Sequence, residues 1–551
     1  MIKADWSLPG VLDVVTAAAP GRDMLVWGPV RRSYAEVRDR TRGLAAFLGA
    51  RGLGVRRERA ELDRWACGQS RVALVLSNCP AYVEAMVGAY RARAVPYNVN
   101  HHYNAREVAA LLARVGADAV VYQRRLAPLL AEAPLAGAVL VDVDDGSGAA
   151  PLPGSVSFED AVAWEVGGGL PEPSPDDLYL VCTGGTTGAP KAVLWRQADA
   201  YVSAMGGVEG ATPERIAAGA GTGAGVWFAA PPLMHAAAQW TVFAGLHNGA
   251  TVVLHDDAEP FDARTILATA EREGVTMMTI VGDAYARPIV DELRARPYDL
   301  SALRAVGTGG AVTSPALKRE LLELVPHLTV NDGYGSSETG GMAFGASRRD
   351  ARASRFTPSA GACVVSADRT RVLEPGDGEV GWTARTGRIP LGYLDDREAT
   401  ERTFPIVGGR RCAVPGDRAT LAEDGTITVL GRDALVVNSG GEKVFVEEVE
   451  EAIRRHPDVA DALVVGRPSE RFGEEVVALV ALRPGASLTP LAVREFAARS
   501  VARFKAPRAV LLCDRVGRHP SGKADYTWAR RAAEGAVAAA PQAGPGSGTS
   551  K

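Results

Sequence analysis

The stretch Cys182-Thr183-Gly184-Gly185-Thr186-Thr187-Gly188-Ala189-Pro190-Lys191 decides how this chain is interpreted. It follows an apolar run at residues 178–181 that has the composition of a buried strand. Its glycines let backbone N–H groups approach phosphate oxygens, its threonine hydroxyls add donors, and its lysine supplies positive charge. It is not a Walker A loop, because Ala189 and Pro190 separate the last glycine from the lysine. The pattern predicts a phosphate-binding loop, with an ordinary glycine-rich turn as the alternative.

The composition is that of a soluble globular protein. The chain has 551 residues, of which 47% are hydrophobic and 23% charged, and its net charge of −4 gives no reason to expect a nucleic-acid partner. No apolar run approaches the ~20 residues of a membrane-spanning helix, and no basic region precedes an apolar core at the N-terminus. Six scattered cysteines without a CxxC pair indicate neither a zinc site nor a disulfide framework. We therefore expect a cytoplasmic location.

Strand-like and helix-like segments alternate along most of the chain. Examples are the strand candidates at 72–76 and 95–99 and the helix candidates at 80–93 and 105–115. This alternation predicts an α/β fold, with a large N-terminal region of mostly parallel sheets and helices. Near Gly431 the pattern changes to that of a small, mobile α+β C-terminal lid. We expect an adenylation domain at 1–431, the lid at 432–533, and a disordered tail at 534–551, whose Ala, Gly, Pro and Ser cannot bury a core.

Further segments rich in polar and glycine residues occur after the loop. They are Pro232–Ala238 around His235, Gly307–Ala311, Asp332–Thr339, the series Gly416-Asp417, Gly431-Arg432 and Asn438–Lys443, and finally Pro520–Lys523. Any one of them alone is a weak signal, because short glycine and aspartate pairs are common in turns. Their order and spacing along one chain are more specific.

In that order the segments resemble the motifs of the adenylate-forming enzymes, which include acyl-CoA synthetases, peptide-synthetase adenylation domains and luciferases. The similarity runs from about residue 12 to residue 530 and is nearest to fatty acyl-CoA synthetases, including those acting on steroid side chains or aromatic acids. The resemblance implies ATP-dependent activation of a carboxylic acid to an acyl-adenylate. Thioester formation with coenzyme A follows, after the lid rotates to bring Gly440–Lys443 to the site.

The resemblance also implies a role for each matching residue. The phosphates of ATP would meet Thr183, Gly184, Gly185, Thr186, Thr187 and Lys191. Tyr334 would stack on adenine, Asp332 would accept from its amino group, and the turn with Gly309, Gly310 and Ala311 would border adenine and the acyl group. Gly333 and Ser337 would belong to the same cofactor-binding site, and the ribose would meet Asp417 and Arg432. Gly440 and Gly441 would border coenzyme A. The catalytic set would be Lys523, Glu338 and His235, with Glu338 also the Mg²⁺ ligand.

Several alternatives stay open at this stage. The acid or the acceptor can differ, as in ATP-dependent diazotases that activate nitrite for an aromatic amine, and a non-catalytic nucleotide-binding protein is a further rival. For His235, a structural role is an alternative to a catalytic one. For the pair His101-His102, we expect a structural role. Asp283 fits either a polar substrate or a cap on the helix that follows. The expected partner is a small-molecule acid, with a homodimer left open, and Ala434 stands where the family hinge usually has Asp or Lys.

Overall fold

The first part of the chain forms a parallel sheet covered by helices. The computed structural model describes residues 5–185, 188–223, 225–258, 261–311, 313–349, 356–432, 435–439, 442–469, 473–501, 505–519 and 522–538. The first strands are β1 (Asp23–Trp27), β2 (Val30–Ser33), β3 (Arg71–Val75), β4 (Val95–Asn98), β5 (Ala119–Gln123), β6 (Val139–Val143) and β7 (Val156–Ser157). The accompanying helices are α1 (Leu8–Ala18), α2 (Tyr34–Gly49), α3 (Pro80–Arg91), α4 (Ala105–Val115) and α5 (Phe158–Val162). Strands β3 to β7 pair in parallel in the order β4-β3-β5-β6-β7.

Helix α4 illustrates how local sequence sets these elements. Asn104 accepts a hydrogen bond from the backbone N–H of Glu107, and the Glu107 side chain accepts one from the backbone of Asn104, which forms a capping box. The buried residues of the helix follow the i, i+3, i+4, i+7 spacing of one face: Val108, Leu111, Leu112 and Val115. The helix predicted at 105–115 is confirmed.

The middle of the chain continues the alternation and then becomes mostly strand. The next strands are β8 (Leu178–Gly185), β9 (Gly188–Arg196), β10 (Val226–Ala229), β11 (Thr251–Leu254), β12 (Met277–Ile280), β13 (Ala305–Gly309), β14 (Thr329–Ser336), β15 (Gly340–Ser347), β16 (Thr357–Pro358), β17 (Ala362–Val365), β18 (Gly381–Thr386), β19 (Gly392–Tyr393), β20 (Ile406–Val407), β21 (Arg410–Ala413), β22 (Asp417–Leu421) and β23 (Ile427–Arg432). The helices are α6 (Gln197–Ala204), α7 (Pro213–Thr222), α8 (Ala236–His247), α9 (Ala263–Arg272), α10 (Gly282–Ala295), α11 (Pro315–Leu324) and α12 (Arg397–Thr403).

These strands build three further sheets. A nine-stranded sheet has the order β16-β15-β14-β13-β12-β10-β11-β1-β2 and is parallel from β14 to β1, with antiparallel pairs at both edges. Strands β8, β9 and β19 form a small antiparallel sheet, and β17, β18 and β20 to β23 form a six-stranded one. Large aromatic side chains fill the main core between the layers, among them Phe47, Tyr82, Tyr90, Trp195 and Phe243.

The C-terminal part is a separate five-stranded sheet with helices. Its strands are β24 (Val436–Ser439), β25 (Glu442–Phe445), β26 (Val459–Ser469), β27 (Gly473–Leu482) and β28 (Ala509–Cys513), and its helices are α13 (Val446–Arg454), α14 (Pro490–Ala498) and α15 (Tyr526–Ala538). Among the helices described, none is long and apolar enough to cross a bilayer. The mixed α/β fold with parallel sheets and a small C-terminal α+β unit agrees with the fold predicted from the sequence.

Helix α15 corrects one expectation. The disordered tail was predicted to begin at residue 534, but the helix continues to Ala538. Buried Ala529 and Ala533 anchor it against the C-terminal sheet, and the alanines that follow have the highest intrinsic helix propensity. Residues 539–551 lie outside the described residues.

Candidate active site

The carboxyl ends of two parallel sheets meet beside the predicted phosphate loop. Asn78 follows β3 of the first sheet, and its side chain donates to the carbonyl of Pro231 (3.2 Å) and accepts from the N–H of Leu233 (2.7 Å), just after β10 of the second. Ligand crevices in open α/β sheets form outside the carboxyl ends of the strands. The fold therefore brings the segment that contains His235 to the edge where such a crevice would form.

Asn98, the last residue of β4, fixes the strand that leads into the phosphate loop. Its side chain accepts from the N–H of Cys182 (2.9 Å) and donates to the carbonyls of Cys182 (2.8 Å) and Met234 (2.6 Å). Asn98 thus joins the start of the loop to the residue before His235. Within the hairpin of β8 and β9, Thr183 pairs with Lys191, and Gly184 and Gly185 belong to β8. Thr186 and Thr187 lie outside the described residues.

Lys191 and Glu338 approach the same aromatic ring. The Nζ of Lys191 lies 4.7 Å from the ring centroid of Tyr393, and the hydroxyl of Tyr393 donates to Oε1 of Glu338 at 2.9 Å. Burial and the Glu338 carboxylate raise the pKa of Tyr393, so that its hydroxyl stays a donor at neutral pH. The predicted phosphate-binding cation and the predicted metal ligand are therefore neighbours, although 147 positions separate them in the sequence.

Trp195 connects the Asp332–Thr339 segment (the second motif) to the phosphate-loop hairpin. This fully buried side chain of β9 donates its Nε1–H to the backbone carbonyl of Ser337 at 3.0 Å. A buried indole N–H needs a partner, and here the partner lies next to Glu338. The structure thus gives Trp195 a specific contact with this motif.

Tyr334 and Asp417 are joined directly. The Tyr334 hydroxyl donates to Oδ2 of Asp417 at 2.6 Å and lies 3.1 Å from the hydroxyl of Thr383 on β18. Two residues along the same strand face, buried Arg385 donates through Nη1 to the carbonyls of Thr339 (2.8 Å) and Gly341 (2.7 Å). Strand β18 thus supports both ends of the second motif.

The ends of β13 and β14 lie close together. A Cβ on Gly309 would lie 3.0 Å from the carbonyl oxygen of Gly333, so glycine at 309 permits this approach. Gly310 and Ala311 follow at the end of β13. The Asp332 carboxylate pairs with Lys318 of α11, with Oδ2 and Nζ 2.9 Å apart. The lysine was not anticipated from the sequence.

Asp417 and Arg432 are backbone partners on neighbouring strands. They stand directly opposite each other in the register of β22 and β23. The spacing between them in the sequence is therefore that of a hairpin, whose ends put both residues at one edge of the sheet. Gly440 and Gly441 lie outside the described residues, as does Ala434.

The C-terminal unit brings Lys523 toward His235. Burial, followed by the charge of Lys523, lowers the pKa of His235 to about 3, so the imidazole is neutral at physiological pH. The turn before the lysine touches the start of α10: a Cβ on Gly522 would lie 3.1 Å from Cβ of Ala284. The described structure therefore has the lysine turn docked at the N-terminal region.

The structure adds a neighbour to the histidine pair and corrects the expectation for Asp283. Asp257, distant in sequence, places Oδ2 3.7 Å from Nε2 of His101, which supplies the acidic neighbour that the local sequence lacks. Among the described residues no group of three or more His, Cys, Asp and Glu side chains could hold a metal ion, and the structural role of the pair stays a prediction. Asp283 does not cap its own helix. It accepts from the N–H of Ser314 (2.7 Å), the residue before α11.

Most of the side chains that sequence reasoning missed belong to no recognised motif. They are Asn98, Lys318, Thr383, Arg385 and Tyr393, and each contacts a motif residue from another strand or helix. No local pattern announces such contacts.

The fold and the site together define an adenylate-forming enzyme. A family model described as "AMP-binding enzyme" matches residues 12–390, and one described as "AMP-binding enzyme C-terminal domain" matches residues 448–523. The chain belongs to the AMP-binding enzyme family. It is a ligase of the acyl-CoA synthetase class, which activates an acid with ATP as an acyl-adenylate and then forms a coenzyme A thioester. The family and the reaction predicted from the sequence are confirmed.

Two relatives and one solved structure give the degree of similarity. The medium-chain acyl-CoA ligase Mig of Mycobacterium avium is 43% identical over 96% of this chain and 98% of its own length. A 3-oxocholest-4-en-26-oate–CoA ligase of Rhodococcus rhodochrous is 36% identical over 94% and 92%. The crystal structure of the anthranilate CoA ligase AuaEII with anthranoyl-AMP superposes with a TM-score of 0.80 at 20% identity, covering 97% of this chain and 98% of that one. At that identity it shows a shared fold.

Proposed function

We propose that this enzyme activates an aliphatic carboxylic acid, either a medium- or long-chain fatty acid or the side-chain acid of a steroid, with the site residues acting as the motifs imply. The two relatives named above, at 43% and 36% identity, act on acids of these kinds and support the substrate class. The observation that carries the residue roles is the convergence of Lys191, Tyr393 and Glu338 on one side and Tyr334 and Asp417 on the other.

The nucleotide half of the site follows from those contacts. The Asp417 carboxylate would accept from the ribose hydroxyls, while the Tyr334 hydroxyl holds one of its oxygens in place. Arg432 is its backbone partner across the hairpin, which supports a shared role at the sugar. The backbone N–H groups at Gly184 and Gly185 would face the phosphates, with Lys191 as a nearby cation. Transition-state charge on the phosphate oxygens is thereby met by groups that are already oriented.

The residues present fit a magnesium ion. Glu338 is a hard carboxylate with one oxygen held by the Tyr393 hydroxyl, and Mg²⁺ is commonly bound by one or two carboxylates together with substrate phosphates. Glu338 would be the protein ligand. When bound, the ion would supply charge neutralisation on the triphosphate.

Lys523 would act in the first half-reaction, at the α-phosphate and the attacking carboxylate. The docking of its turn at α10 supports this, because a Cβ on Gly522 would lie 3.1 Å from Cβ of Ala284, and the charge of Lys523 contributes to the lowered pKa of His235. A neutral His235 would serve as a hydrogen-bonding group at the passage for coenzyme A. Transfer to coenzyme A would need the second lid position, in which Gly440 and Gly441 face the site.

Several broader predictions stand beside this proposal. The division at residues 431 and 432, a homodimer and a cytoplasmic location were expected from the sequence and stay predictions.

The test is a substrate panel read by two signals. Pyrophosphate release and coenzyme A consumption are followed with octanoate, palmitate, a C26 steroid acid, benzoate, anthranilate and nitrite. We expect the aliphatic or steroid acids to have the highest kcat/KM, with coenzyme A consumed in step with pyrophosphate release. Preference for benzoate or anthranilate would overturn the substrate class. Turnover of nitrite with an aromatic amine and no use of coenzyme A would favour a diazotase.

A further inference from the structure

Lys523 sits at the end of a short closed turn. The N–H of His519 donates to the carbonyl of Lys523, and the N–H of Gly522 donates to the carbonyl of His519, both at 2.8 Å. Gly522 has a φ of +78° and packs against Val281 and Ala284 at the start of α10. These contacts orient the backbone of the turn. Because the lysine side chain is flexible, its backbone must be held in place for the ammonium group to reach a defined position.

Arg518 of the C-terminal unit binds this turn through a hydrogen bond. Its Nη1 donates to the carbonyl of Gly522 at 3.0 Å, while Nε and Nη2 donate to the two carboxylate oxygens of Asp461 at 2.6 and 2.8 Å. The planar guanidinium can make these bonds at once, and a lysine ammonium cannot reproduce the geometry. One side chain thus links β26 to the residue before Lys523.

Asp461 is itself fixed. The pairing of β26 with β27 shifts register between Val459 and Asp461, and such a bulge re-aims the side chain that follows it. Oδ1 of Asp461 also lies 3.4 Å from Nε of Arg454. Arg454 in turn pairs with buried Glu450, whose Oε2 lies 2.6 Å from Nη2.

The same group of charges faces the N-terminal region. Burial raises the pKa of Asp283 on α10, and the N–H of Ser314 and the charge of Arg454 oppose that rise. Arg454 therefore lies within electrostatic range of Asp283, near the residues where Gly522 docks. The network reaches from the lysine turn to the surface on which that turn rests.

We propose that Arg518 and Asp461 are positioning residues that set the Lys523 turn for adenylation. The proposal rests on the role of Lys523 given above. A displacement of about 1 Å in a group that meets the transition state can cost about a hundredfold in rate. Loss of the Arg518 hydrogen bonds should therefore slow adenylation. Transfer to coenzyme A, which uses another lid position, should be largely unaffected.

The test compares Arg518→Gln, Arg518→Lys and Asp461→Asn with the parent. Adenylation is measured by ATP–pyrophosphate exchange, and transfer is measured by thioester formation from supplied acyl-adenylate. We expect the kcat of adenylation to fall about tenfold to a hundredfold, with KM for ATP and acid changed little and transfer within about twofold. Arg518→Lys keeps the charge but not the fork and should stay impaired. Arg467→Gln is the matched control, because Arg467 pairs with Glu475 on the same sheet. Its side chain is 15% exposed, compared with 21% for Arg518.

A double variant separates positioning from folding. If Arg518 acts through the lysine, Arg518→Gln should cause no further loss of adenylation in a Lys523→Ala background. Equal losses in both half-reactions, or an additional loss in that background, would overturn the proposal, and so would normal adenylation by Arg518→Gln. Normal adenylation by Lys523→Ala would instead reject the role of the lysine, and the positioning proposal with it. Melting temperatures of all variants identify any that fail to fold.

Discussion

The hydroxyl of Tyr334 donates a 2.6 Å hydrogen bond to Oδ2 of Asp417, a residue 83 positions further along the chain. This bond joins the predicted adenine-stacking residue to the predicted ribose-binding residue. The hydrogen bond also occupies one acceptor site of the Asp417 carboxylate and so restricts the orientation of that side chain.

Tyr334→Phe should therefore weaken ATP binding about tenfold, or about 1.4 kcal/mol, because the ring is kept and the bond to a charged group is lost. Binding of the acid should change little. Isothermal titration calorimetry with ATP gives the answer. Thr383→Val is the control, since it removes a second neighbour of the hydroxyl and leaves the bond to Asp417. An unchanged ATP affinity in Tyr334→Phe would count against the nucleotide role of the pair.

Glu338→Gln should raise the Mg²⁺ concentration needed for half-maximal adenylation and lower the maximal rate. The substitution keeps the shape and the contact with Tyr393 but removes the charge that a hard cation prefers. A magnesium titration of pyrophosphate exchange measures the effect. Tyr393→Phe keeps the carboxylate and should shift the titration less. Coincident titrations for Glu338→Gln and the parent would remove the metal-ligand role.

Gly522→Ala should slow adenylation, whereas a glycine substitution elsewhere in the C-terminal unit with a similar loss of stability should not. Its Cβ would lie 3.1 Å from Cβ of Ala284, so the lysine turn could not dock as closely. Gly485→Ala is a matched control in the same unit, because its φ of +81° carries similar backbone strain while nothing lies within 4 Å. Both should lose about 1 kcal/mol of stability. Only Gly522→Ala should lower the pyrophosphate exchange rate, and equal activity of the two variants would contradict the docked turn.

Acid should destabilise the folded protein through its buried histidines. Burial lowers the pKa of His101 and His247 to about 4 and that of His235 to about 3, against 6.5 in the unfolded chain. The unfolded state therefore binds more protons below pH 6.5, and stability falls as pH drops toward 4. Burial raises the pKa of Asp257 to about 6 from 3.8, which partly offsets the loss in the same range.

His247→Gln should reduce this pH dependence. The side chain is packed against Tyr201 and Phe243, away from the residues assigned to the reaction. One fully coupled proton changes the free energy of unfolding by about 1.4 kcal/mol per pH unit, which sets the upper limit for the change in slope. Urea unfolding at pH 8.5, 7.5, 6.0 and 5.0 measures it. Between pH 8.5 and 7.5 the two proteins should show nearly equal slopes, because the imidazole is then mostly neutral in both states. Equal slopes between pH 6.0 and 5.0 would refute the assignment.

The sequence predicted best what depends on local pattern. The helix at 105–115 has the predicted bounds, and the strands predicted at 72–76 and 95–99 begin and end within one residue of their predicted bounds, because apolar periodicity and capping residues mark these elements. The spacing between Asp417 and Arg432 reflects a hairpin, and the structure pairs the two residues across it.

Contacts between distant elements could not be predicted in the same way. Tyr393 lies on β19, which pairs with β9 although about 200 residues separate the two strands in the sequence. Its hydrogen bond to Glu338 depends on this long-range pairing. Likewise, Asp257 reaches His101 because two sheets meet at their carboxyl ends. The end of helix α15 was misjudged because alanine both lacks core-forming bulk and favours helix, and packing of Ala533 decided between the two.

The charges of the C-terminal unit that face α10 have a consequence for turnover. An apolar contact gains free energy steadily with area and resists separation, whereas an ion pair taken from water gives back in hydration much of what it gains in attraction. The charge of Arg454 opposes the rise in the pKa of Asp283 that burial causes, and an attraction of this electrostatic kind adds little to the free energy that would hold the C-terminal unit against α10. If the unit leaves this position during turnover, as proposed above, we expect its departure to become easier as ionic strength rises, because salt screens that attraction.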